Sequence, residues 1–141
     1  MSIDPEDLAL RDALVRSSFE VMGRLSRLAA EEGMSLTQLR VLGVLRDRRP
    51  RMAELAQGLG LDRSSVTGLI DRAQAKGLVE RVAEEGDGRG VRVVLTAEGQ
   101  RVAALLADRV SELLADAVAP LSPAMKRSLR EGLEATFVSG F

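Results

Sequence analysis

The sequence predicts a mainly α fold with a small β-hairpin at its centre (α+β). Three observations carry this. Apolar residues recur at helical spacing through most of the 141 residues. Only two short stretches, 78–84 and 91–96, are rich in β-branched residues and alternate as strands do. The glycine-rich segment "EGDGRG" lies between those two stretches and suits a hairpin tip, because glycine reaches positive φ at little cost. The length fits one domain, or one protomer of a small oligomer. A hydrophobic share of 45% with 29% charged residues fits a globular chain and not a disordered one.

The elements follow in order. Asp4 caps a first helix, Pro5 takes its first position, and Glu6 and Asp7 lie near its positive end. The helix is expected to run to about Ala30. It carries two apolar stripes: Leu8, Val15, Met22 and Ala29, and beside them Leu10, Leu14, Val21, Leu25 and Leu28. Either one stripe packs on its own protomer and the other on a second copy, or both form one wide core face. Gly33 breaks the helix. "SLTQ" at 35–38 then reads as a capping box, with Met34 and Leu39 as its staple. The second helix turns Leu39, Leu42 and Leu45 inward and stops at Pro50.

Residues 52–60 form a short helix ended by Gly60. Asp62 caps the next one, whose buried stripe is Val66, Leu69, Ile70 and Ala73 and whose stop is Gly77. Two short helices joined by a tight glycine turn, the second with a small polar outer face, make a helix-turn-helix. The two strands and their loop follow. Thr96 caps a helix of about twenty residues with Val102, Leu106, Val110, Leu113 and Ala117 on its inner side. Pro120 ends it. Ser122 and Pro123 open a last helix on which Met125, Leu129, Leu133 and Phe137 recur every four residues.

Composition removes several chemistries. The chain has no Cys and no His. Disulfides, thiol redox sensing, Cys/His zinc sites and His general bases are therefore excluded. The N-terminus lacks the apolar core of a signal peptide and no segment resembles a membrane span, so the expected location is the cytoplasm. Net charge is −1, but it is unevenly placed: −3 over residues 1–34, +3 over 35–96 and −1 over 97–141. The basic part coincides with the helix-turn-helix and hairpin.

The central stretch "LGLDRSSVTGLIDRAQAKGLVERVAEEGDGRGVRVVLTAEG" resembles the MarR family of transcriptional regulators. The resemblance rests on the cap Asp62, the pair Ser64 and Ser65, Val66 with Thr67, and Leu69 with Asp71 and Arg72. It continues through "KGLVER" at 76–81, Asp87 and Arg89 as D-x-R, Leu95 with Thr96, and Glu98 with Gly99. It spans roughly residues 30 to 105 by motif, and the whole chain by helix order. It implies a homodimeric winged helix-turn-helix protein, with 35–96 as the DNA-binding lobe and 1–34 with 97–141 as dimerisation helices in one intertwined domain. It implies a repressor on a near-palindromic operator of double-stranded DNA, released by a small aromatic or phenolic effector, with no cofactor, no metal and no enzymatic activity.

The expected DNA-binding residues are Arg63, Ser64, Ser65, Thr67, Gly68, Arg72, Asp87 and Arg89. Short hydroxyls at a helix N-terminus suit phosphate and base-edge contacts. Arg72 fits bidentate contact with guanine or a hold on a phosphate, or else it pairs with a neighbouring acid. Arg89 at a hairpin tip fits a narrow minor groove, with Asp87 bracing the loop. Three positions depart from the family pattern. Gly68 replaces a larger polar or basic residue, Ala73 a leucine, and Arg51 a Ser/Thr cap.

Rival readings are weaker. "GDGRG" is followed by a strand, so it lacks the strand–loop–helix context of a nucleotide loop. Glu84, Glu85 and Asp87 read as a solvated cluster before a hard-metal site. Asp108, Glu112 and Asp116 lie on one solvent face of a helix. A dimeric interaction module without specific DNA binding is the alternative function.

Overall fold

The computed structural model describes residues 2–84, 90–137 and 141. It contains α1 (Pro5–Glu31), α2 (Leu36–Asp47), α3 (Met52–Leu59), α4 (Arg63–Ala75), β1 (Val79–Ala83), β2 (Val91–Leu95), α5 (Ala97–Val118) and α6 (Pro123–Thr136). The order and types match the sequence expectation, and β1 is one residue shorter at each end. The chain divides into two compact units, residues 1–39 and 40–141.

The first unit is α1 and the start of α2. Asp4 accepts a hydrogen bond from the Glu6 N–H at 2.9 Å. Gly33, at φ 69°, ends the helix, since that backbone region is strained for residues with a Cβ. The capping box forms in both directions: Gln38 N–H donates to Ser35 Oγ at 3.1 Å, and Ser35 N–H to Gln38 Oε1 at 3.0 Å. Leu28 and Ala29 are the buried residues of α1, whereas Leu8, Leu10, Val15, Phe19 and Met22 are exposed. One face of this helix is therefore uncovered in the single chain.

The second unit has its core where α3, α4 and the hairpin meet. α3 packs on α4 and β2, α4 on β1, and α5 on β2. Leu55, Val66, Ile70, Val79 and Val93 are the fully buried side chains there. Each contributes about 1.5–3 kcal/mol by leaving water. The strands pair antiparallel from Val79–Leu95 to Ala83–Val91. A third edge is added by the turn before α3: Arg51 bridges Arg92, and Val93 N–H donates to the Pro50 carbonyl at 2.9 Å.

α5 begins at a tight junction. Thr96 accepts from Gly99 N–H at 3.0 Å and donates its hydroxyl to the Gly77 carbonyl at 2.6 Å. Thr96 N–H donates to the Leu78 carbonyl at 3.0 Å. The Gly99 backbone lies so close to that carbonyl that a Cβ would overlap it. The buried residues of α5 are Gly99, Ala103 and Leu106. Of the expected stripe Leu106 is buried, Val102, Val110 and Leu113 are half-buried and Ala117 is exposed, so its cover fades along the helix. α6 has no buried residue. Its stripe of Met125, Leu129, Leu133 and the following Phe137 is exposed.

Candidate nucleic-acid interface

The outer face of α4 is built by local rules. Asp62 carries extended backbone and its carboxylate accepts from Ser65 N–H at 2.7 Å and from the Ser64 hydroxyl at 2.8 Å. These bonds, the Ser65 backbone first, hold the Asp62 carboxyl below the usual carboxylate range. With Val66, Leu69, Ile70 and Ala73 buried, Arg63, Ser64, Ser65, Thr67 and Arg72 are left exposed and Gly68 half-exposed. The structure therefore brings six of the eight expected DNA-binding residues onto one short helix. Asp87 and Arg89 lie outside the described residues.

The hydroxyls are less free than the sequence suggests. Ser64 donates to Asp62, and Thr67 donates to the Arg63 carbonyl one turn back at 2.8 Å. Both serve the helix as donors and retain only acceptor capacity toward a ligand. Arg72 is different. Its neighbouring acid, Asp71, is taken by Arg81 from β1 at 2.7 Å. Arg81 also donates to Gln74. Arg72 thus keeps no ion pair among the described residues.

A second cluster was not foreseen. The Glu84 carboxylate lies 2.8 Å from the Arg51 guanidinium and 2.8 Å from that of Arg92. Arg92 also donates to the Arg49 carbonyl at 2.7 Å. Hydrogen bonds from Arg51 and then Arg92 hold Glu84 below the usual carboxylate range. Gly90 makes room for this arrangement: a Cβ there would collide with the Glu84 carboxylate. Arg51 supplies no side-chain cap to α3, and Glu54 instead accepts from the Arg51 N–H at 3.4 Å. Arg51 therefore belongs to the base of the hairpin. Of the three carboxylates of the hairpin, Glu84 holds two guanidiniums, and Glu85 and Asp87 lie outside the described residues. Among the described residues no helix is long and apolar enough to cross a membrane.

Comparison with known proteins agrees with this architecture. The sequence profile of the MarR family matches residues 32–90. An uncharacterized HTH-type transcriptional regulator of Bacillus subtilis, YfiV, is 33% identical over 101 residues, covering 71% of this chain. That alignment spans 63% of the relative, under two thirds of its length. An uncharacterized protein of Mycobacterium tuberculosis is 31% identical over 89% of this chain and 91% of its own. Sco3205, a MarR family transcriptional regulator from Streptomyces coelicolor solved in complex with DNA, superposes with a TM-score of 0.77 at 26% identity. That match covers 96% of this chain and 88% of the other. Motif, winged helix-turn-helix architecture and relatives converge: the chain belongs to the MarR family of transcriptional regulators.

Proposed function

We propose that the protein binds specific double-stranded DNA as a homodimer and represses transcription, with a small molecule as releasing signal. The observation that carries this reading is the outer face of α4. It presents Arg63, Ser64, Ser65, Thr67, Gly68 and Arg72 away from the core, with Arg72 in no ion pair among the described residues. A helix with its polar face outward fits the major groove, with backbone N–H groups of its first turn available to phosphate. The similar structure of Sco3205, solved in complex with DNA, supports DNA as the partner.

Dimerisation is supported by exposed apolar faces on α1, within residues 1–39, and on α6, within residues 40–141. Such faces are costly in water and gain from a partner. We assign residues 1–34 and 97–141 to dimerisation and 35–96 to the DNA-binding lobe, and place the protein in the cytoplasm. On this reading Asp87 and Arg89 extend the interface through the wing. A regulator of this design binds and releases without turnover.

Electrophoretic mobility shift with genomic fragments over a range of salt tests the proposal. Particular fragments should be retained at nanomolar concentrations, and affinity should fall steeply as salt rises, because neutralised phosphates release counterions. Arg63→Ala should shorten the log–log salt slope by about one unit. Equal, weak retention of all fragments would sink specific DNA binding and favour an interaction module.

A further inference from the structure

This inference rests on the DNA-binding reading above and names the base contact within it. At 3.6 residues per turn, Ser64 and Gly68 lie within about 30° of the direction opposite the buried stripe of α4, whereas Arg72 lies about 70° round from it. A helix seated in a groove meets base edges along the middle of its outer face and phosphates along its flanks. By position alone, Arg72 is a flank residue.

Its guanidinium is not on the flank. Side chains on a helix lean toward the N-terminus, so residue 72 points back over residue 68. Nη1 of Arg72 lies 3.4 Å from where a Cβ on Gly68 would stand. The glycine gives up a helix-favouring side chain and leaves a bare patch of backbone beneath the guanidinium. The other groups on this part of the face offer no free donor: Ser64 donates to Asp62, and Asp71 is an acceptor already held by Arg81.

We infer that Gly68 and Arg72 form one specificity element: the glycine lets the arginine lie across the centre of the recognition face, where it reads a guanine in each half-site. Guanine O6 and N7 are paired acceptors in the major groove, matching two N–H groups of the guanidinium fork. A phosphate anchor needs no such central placement.

The test starts from duplexes selected by the wild-type protein from a randomised pool, with each base pair then replaced in turn. Wild type should lose roughly 5- to 150-fold in affinity at one G·C pair per half-site. Arg72→Ala should abolish preference at that pair and leave the others. Arg72→Lys should do the same, since an ammonium lacks the fork. Gly68→Ala, whose methyl meets the guanidinium at ordinary contact distance, should keep the preference. Gly68→Gln retains the arginine but covers its resting place, and should lose the preference at the same pair. Gly68→Gln with Arg72→Ala should match Arg72→Ala alone. Thermal melts confirm that each variant is folded. A uniform loss over all sequences in Arg72→Ala would make Arg72 a phosphate anchor and overturn the inference. Full preference in Gly68→Gln would overturn it too. In both cases selective binding by wild type survives. If wild type selects nothing from the pool, the DNA reading itself falls, and this inference with it.

Discussion

Replacing Gly99 with alanine should damage this fold more than its small size suggests. The new Cβ would overlap the Leu78 carbonyl oxygen and press on its carbon, and Leu95 Cδ2 would stand 3.2 Å away. Leu78 O is a backbone atom and cannot rotate aside. It also accepts the Thr96 N–H at 3.0 Å, so relief by movement stretches that bond. Overpacking against rigid atoms costs about 3 kcal/mol at the upper end of its range. A weakened hydrogen bond adds about 1 kcal/mol. Alanine returns about 1 kcal/mol of helix propensity. The net loss is about 3 kcal/mol, or roughly 10 °C in Tm for a chain of this size. Thermal unfolding by circular dichroism at fixed protomer concentration measures it. Gly43→Ala is the control, because a Cβ there meets nothing within 4 Å and lies on an exposed face of α2. It should melt at or slightly above wild type. A Gly99→Ala protein melting with Gly43→Ala would refute the reasoning that close backbone approach fixes this glycine.

Three further outcomes are expected. Leu129→Glu with Leu133→Glu places two charges on the exposed stripe of α6 and should convert a dimer into a folded monomer in sedimentation; an unchanged sedimentation coefficient would remove α6 from the interface. Leu55→Ala, at a fully buried site, should cost about 2–5 kcal/mol in urea unfolding, and a loss below about 1 kcal/mol would mean that the site collapses freely. For Glu84 the folded-state pKa is depressed, chiefly by Arg51 and then Arg92. Its ion pairs therefore stabilise above the ordinary Glu value of about 4.3, and that contribution disappears as pH falls through the folded-state value. The advantage of wild type over Glu84→Gln in urea midpoint should shrink on acidification; an advantage that grows would contradict the sign.

The elements were legible because their signals are local. Asp4, Ser35 with Gln38, Asp62, Thr96 and Ser122 each cap a helix that starts within three residues, and all five do so in the structure. Glycines 33, 60 and 77 all have positive φ, as expected at helix stops. What escaped the sequence depends on distant partners. Arg51 and Glu84 are 33 residues apart, and no periodicity links them. Arg51 therefore looked like a poor cap when its side chain serves the hairpin. The Thr96–Gly99 pair was visible as a motif, but the reason for the glycine is the Leu78 carbonyl, which only the folded chain supplies. The α5 stripe loses its cover beyond Leu106, and a helical pattern alone does not say where cover ends.

The Arg81 clasp ties the hairpin to the helix before it. One guanidinium from β1 grips Asp71 and Gln74 on α4, so hairpin and helix are joined by a strut as well as by their shared core. A change that tilts α4 carries β1 with it. A displacement of either element is therefore passed to the other through this clasp as well as through the core. A substitution at Asp71 or Gln74 on α4 therefore reaches the strand as well as the helix.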